Sequence, residues 1–91
     1  MNCYLVTYDL EDPDFEGDML DYLKSFKHWK MVTESSYVVI TNNPPRHIRA
    51  RMVHIANKKV TVYVFKVEGS PGEGWAGFGY PSVNRWLQRL K

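Results

Sequence analysis

The chain has 91 residues, one cysteine and a formal net charge of +2, with 44% hydrophobic and 14% aromatic residues. That length holds one modest core, expected to bury about 60–65% of the surface its unfolded chain exposes, and the composition excludes wholesale disorder. Its apolar runs are too short for a membrane-spanning helix, no basic region followed by an apolar stretch marks a secretory leader, and a lone cysteine excludes an internal disulfide, so a cytoplasmic protein is expected.

Charge is unevenly distributed. Asp9 to Asp21 holds seven acids and no base, whereas Ser35 to Val67 holds six Lys or Arg and no acid. An acidic pole and a basic surface follow, suited either to plain solvation, to phosphate contact or to self-association of opposite poles.

Asn2 to Glu11 opens the chain as a strand. Tyr4, Leu5, Val6 and Tyr8 favour extended backbone, and the unbroken apolar run predicts a central strand covered on both faces. The run enters an acidic turn at Asp9, whose carboxylate then sits at the rim of the core. Taken alone, Asp9 is better accounted for by local hydrogen bonding at a turn or helix entry. Cys3, inside this strand, reads as a small apolar residue rather than a nucleophile.

A helix is expected over residues 15–27, because Phe15, Met19, Tyr22, Leu23 and Phe26 recur on one face, with acids early and lysines late. Residues 28–33 read as a strand, Glu34-Ser35-Ser36 as a hairpin connection, and residues 37–41 as a second doubly covered strand. Asn42-Asn43-Pro44-Pro45 starts a second helix over 45–57, with Asn available as its cap. Ile48, Met52 and Ile55 form its core stripe, and His47, Arg51, His54 and Lys58 a second stripe a quarter-turn away. Residues 60–67 form the last strand.

Residues 68–80 hold five of the six glycines together with Trp75, Phe78 and Tyr80, and read as a turn-rich connector whose rings need a surface to cover them. Residues 81–91 form an added helix with Val83, Trp86, Leu87 and Leu90 on its apolar face. The element order predicts a single α+β domain, the ferredoxin-like βαββαβ arrangement with an added C-terminal helix, which places the two apolar strands in the middle of the sheet.

No phosphate loop, paired zinc cysteines or catalytic triad spacing is present. His47 and His54 stand two helical turns apart, too far to share one ion. The stretches YLVTYDL at 4–10, HWKMVTESSYVVIT at 28–41, GWAGF at 74–78 and the terminal helix with Trp86-Leu87 resemble the SinR-family small proteins grouped near the CRISPR-associated protein two family, and the likeness covers nearly the whole chain. It implies a ferredoxin-like fold and a homodimer. In the CRISPR-associated branch an acid at the end of the first strand is assigned to Mg²⁺ binding and nuclease activity, and the matching position here is Asp9. The chain departs from that branch in carrying Glu11, Asp12, Asp14 and Glu16 where Arg or Lys often follows the acid, and five carboxylates together repel phosphate unless a cation binds first.

Two functions are therefore expected from different classes. One is a dimeric nucleic-acid-binding or assembly module in which Arg46, Arg49, Arg51 and Lys58 contact phosphates. The other is a Mg²⁺-dependent endonuclease in which Asp9 of two copies is the catalytic and metal-binding group. A solvated basic helix face is the plain alternative to the first.

Overall fold

The structure is a computed structural model describing residues 1–68, 77 and 79–89. Four strands, β1 (Asn2–Leu10), β2 (His28–Thr33), β3 (Ser36–Thr41) and β4 (Val60–Val67), form one antiparallel sheet in the order β2-β3-β1-β4. Helices α1 (Glu16–Leu23) and α2 (Pro45–Ile55) fill the two crossovers, and α3 (Pro81–Gln88) is added at the end. This is the ferredoxin-like fold.

Register explains which side chains the helices cover. Tyr4 stands opposite Val39 and Val6 opposite Tyr37, and on β4 the same row continues through Val64 and Val62. These residues share a core with Met19 and Leu23 of α1 and with Ile48, Met52 and Ala56 beside them. Trimming a fully buried side chain such as Ile48 to alanine typically costs about 2–5 kcal/mol.

The alternate row faces away from α1 and α2, and here β1 departs from expectation. It is central but not covered on both sides: Tyr4, Val6 and Tyr8 are buried, whereas Cys3, Leu5 and Thr7 are half-buried and Asp9 is exposed. Both crossover helices lie on one face; on the other, α3 packs against β2. The expectation holds for β3, where Tyr37, Val38 and Val39 are all buried. Val38 of β3 and Val83 of α3 are also buried but stand outside the main core.

Element ends differ from the sequence pattern for local reasons. β1 runs on to Leu10, so Asp9 lies within the strand opposite Thr61, and the acidic turn starts at Glu11, whose N–H donates to the Lys59 carbonyl. A turn of 3-10 helix at Pro13–Phe15, capped by Asp12 accepting from the Asp14 N–H, precedes α1. α1 stops at Leu23 rather than Lys27, because the Ser25 N–H and hydroxyl both donate to the Tyr22 carbonyl and divert the next turn. Phe26 still reaches the core, edge-on to Tyr22. The hairpin turn is Glu34-Ser35 alone, since Ser36 already pairs with Thr33.

α2 begins at Pro45 without a side-chain cap; the Asn43 N–H donates instead to Thr41 Oγ1. It ends at Ile55, and Asn57 and Lys58 follow with φ of 50° and 66°. The Lys58 N–H closes this end on the Val53 carbonyl at 2.8 Å. The expected connector lies largely outside the described residues, as do Trp75, Phe78 and Leu90. No helix among the described residues is long and apolar enough to cross a membrane.

Candidate nucleic-acid interface

Two open grooves meet at Tyr63. In one, on the helix side of the sheet, Val62, Tyr63 and Val64 of β4 lie beside Pro45, Arg46 and Arg49 of α2. In the other, Tyr63 lies beside Thr7, Asp9, Ser35 and Thr61. The junction follows from topology. β4 is an outer strand packed under α2, so its free edge borders the side of the helix bearing Arg46 and Arg49. β4 also pairs with β1, which places Thr61 opposite Asp9 and Tyr63 opposite Thr7.

The four cations expected to act together do not share one surface. Arg46 and Arg49 line the β4 side of α2, and Arg49 also borders a second groove with His54, Asn57 and Lys58. Arg51 turns to the other side, where its guanidinium lies 5.9 Å from the centre of the Tyr22 ring. The stripe of His47, Arg51, His54 and Lys58 is accordingly divided, and Arg49 rather than Arg51 joins the basic groups.

Among the described residues, none of these cations forms an ion pair with an acid. Among the described residues one ion pair forms, Lys66 with Glu68 at 3.0 Å. The first turn of α2 carries no acid and does carry Arg46. A cation there opposes the helix dipole, a placement that typically costs about 0.3–1 kcal/mol, so helix stability does not account for it.

Asp9 is exposed on the sheet face away from the helices. Around it stand Thr7, Ser35 and Thr61, with Ser36 Oγ donating to Thr7 Oγ1 at 3.2 Å to tie β3 to β1. Among the described residues no three His, Cys, Asp or Glu side chains come close enough to hold one ion. Any cation at Asp9 thus takes its remaining oxygens from hydroxyls, water, substrate or a second copy of the chain.

Other titratable groups are structural in setting. Burial pushes the Cys3 thiol up, which disfavours the thiolate a nucleophile needs. The Tyr8 phenol is pushed up to about 12, first by burial and then by the charge of Glu16 and the nearby Tyr37. The hydroxyls of Tyr8 and Tyr22 are buried without a hydrogen-bond partner.

Sequence reading overlooked the aromatic pair on β4. Tyr63 and Phe65 are 60% and 55% exposed, with ring centres 6.3 Å apart and planes 20° apart. The signal was present as alternation: Val60, Val62 and Val64 face the helices, while Thr61, Tyr63 and Phe65 occupy the other face.

No protein-family model matches the chain, and no curated protein matches it. A solved structure, the crystal structure of a hypothetical protein TT1823 from Thermus thermophilus, is similar to it with a TM-score of 0.65 and 18% identity, over 87% of this chain and 92% of that one. At that identity the likeness concerns the fold alone.

Proposed function

We propose that this chain is a small homodimeric nucleic-acid-binding protein whose phosphate-contacting surface is the α2–β4 edge. The observation that carries the reading is the placement of Arg46 and Arg49 along that edge, with Lys58 in the adjoining groove that Arg49 also lines and no acid paired to any of them among the described residues. Arginine offers phosphate a planar fork of donors, and unpaired guanidinium groups give up little on meeting a polyanion. The resemblance to the CRISPR-associated protein two family supports the same reading, and so does the lone, half-buried Cys3, at home in a reducing cytoplasm. The free edges of β2 and β4 supply backbone groups for pairing two copies.

The test is binding to a labelled duplex across a salt series. Log affinity falls linearly with log salt, by about 0.9 for each phosphate neutralised. Replacing Arg46 and Arg49 together by glutamine lowers that slope by about two phosphates' worth. Salt-independent binding, or none at low salt, refutes the reading.

A second reading is favoured by one observation: Asp9 shares Tyr63 with the arginine-lined groove, so an acid stands beside the expected path of a nucleic acid. Here the Asp9 carboxylates of two copies hold Mg²⁺, which supplies Lewis-acid polarisation of a phosphodiester. Cleavage of RNA or DNA with Mg²⁺, abolished in Asp9→Ala, is the expected result. Cleavage surviving that change removes the reading.

A further inference from the structure

We infer that the free edge of β4 takes up an extended acidic segment of a partner protein as an additional strand, with its acidic side chains beneath Arg46 and Arg49; this goes beyond the nucleic-acid reading above and shares only the arginines with it. Three observations carry it.

The first is the backbone that the edge leaves over. β4 is an outer strand, and its register with β1 runs from Cys3 opposite Val67 to Leu10 opposite Val60 without a shift. The Glu11 N–H donates to the Lys59 carbonyl at the end of the same ladder. The backbone groups of Thr61, Tyr63 and Phe65, in step with Lys59, therefore turn to β1, and those of Val60, Val62, Val64 and Lys66 turn to the free edge. Such a row of N–H and C=O groups is a template for another strand. A phosphate accepts from the N–H groups but has no donor for the carbonyls, whereas a peptide supplies both.

The second is charge on the helix side of this same edge. Pro45, Arg46 and Arg49 share a groove with Val62 and Val64, whose side chains pack toward the helices. Among the described residues neither arginine forms an ion pair. A strand added at this edge places every second side chain beside Val62 and Val64, beneath the two guanidinium groups. A basic segment is repelled there, and an apolar one gains nothing from the arginines.

The third is spacing. Side chains on one face of a strand repeat at about 6.6 Å, and positions three apart on a helix stand about 5–6 Å apart. Arg46 and Arg49 hold that relation on α2, so they meet acids at alternate positions of one strand, each through its planar fork of donors. The intervening side chains of the added strand fall on the other face of the sheet and are not selected by charge. The β2 edge remains available for pairing two copies of the chain.

The experiment is fluorescence anisotropy on the full chain with a labelled peptide as long as β4 that alternates glutamate and threonine. A peptide with lysine in place of glutamate is the charge control. Two further peptides carry N-methyl groups, one on the glutamate amides and one on the threonine amides, so that each blocks one edge of the incoming strand. The alternating acidic peptide is expected to bind saturably and the lysine peptide not at all. One methylated peptide is expected to keep its affinity and the other to lose about tenfold or more, since only one edge faces β4. Arg46→Gln/Arg49→Gln is expected to lose about tenfold as well. Val64→Pro removes an outward N–H and no ladder bond, and is expected to weaken binding; the methylated peptides make the same test without altering the chain. Equal affinities for the two methylated peptides, or no binding of the acidic peptide, overturn the inference. A wild type that self-associates through this edge, is dissociated by Val64→Pro and binds no peptide overturns it too, because the edge then belongs to a second copy. A labelled duplex is measured on the same proteins. Duplex binding without peptide binding removes this inference and leaves the reading above standing, and peptide binding without duplex binding does the reverse.

Discussion

The Arg51 guanidinium lies over the ring of Tyr22, and the Tyr22 hydroxyl is buried with no partner. The ring is useful to its neighbours and the oxygen is not. It meets Phe26 edge-on at 5.3 Å and carries the cation, while the unmet hydroxyl costs free energy in its site. Tyr22→Phe is therefore expected to raise stability by about 1 kcal/mol in denaturant unfolding, as removal of a buried unsatisfied group does. Arg51→Ala, by contrast, removes a contact between α1 and α2. It should lower stability by about 0.5–1 kcal/mol and change the salt slope of binding less than Arg46→Gln does.

Tyr8 makes stability depend on alkaline pH. Its folded phenol titrates at about 12, above the usual 10. Between those values the unfolded chain has lost its proton while the folded one keeps it, so unfolding releases protons and becomes more favourable as pH rises. The contribution is complete below pH 10 and is lost as pH climbs toward 12. Burial raises Tyr22 and Tyr37 in the same direction. Melting temperature measured from pH 9 to 12 should fall less steeply in Tyr8→Phe than in the wild type, and identical slopes would contradict the assignment to Tyr8.

Lys58 sits at a φ of 66°, in the left-handed region that costs a side-chain-bearing residue about 1 kcal/mol relative to glycine. Asn57, just before it, tolerates this region better than most residues. Lys58→Gly is expected to stabilise the fold by roughly 0.5–1 kcal/mol, a gain of several degrees in melting temperature for a domain of this size. The same change removes a cation from the groove bordered by Arg49 and His54. Tighter folding with a salt slope smaller by about one phosphate is the expected pair of results. A gain in stability with an unaltered slope would place Lys58 outside the binding surface.

The architecture was legible because each crossover helix writes its buried stripe at helical spacing. Met19 and Leu23, then Ile48 and Met52, are fully buried, and the strand order follows from the element order. Coverage of the second face was not legible. Leu5 and Val38 are both apolar and stand opposite each other, yet Val38 is buried and Leu5 only half-buried. Leu5 lies on the inner strand β1, whereas Val38 lies on β3 beside β2, the strand that α3 packs against, and no local pattern encodes where that helix comes to rest. The basic edge was half legible for a related reason. Arg46, Arg49, Arg51 and Lys58 stand out as a run of charge, but the sides taken by Arg49 and Arg51 depend on the neighbours of α2, β4 on one flank and α1 on the other. The ring pair went unseen because aromatic residues favour strands whether or not they are covered, so composition alone hides an exposed row.

Asp9 offers a clean separation of chemistry from folding. Its carboxylate is exposed and forms no ion pair among the described residues, and Thr61 opposite it is exposed as well. Surface substitutions in such settings usually shift stability by no more than about 0.5 kcal/mol, so Asp9→Asn should melt with the wild type. A loss of Mg²⁺-dependent cleavage in this variant would then be a loss of the group itself, since asparagine keeps the shape and one oxygen but not the charge a divalent ion requires.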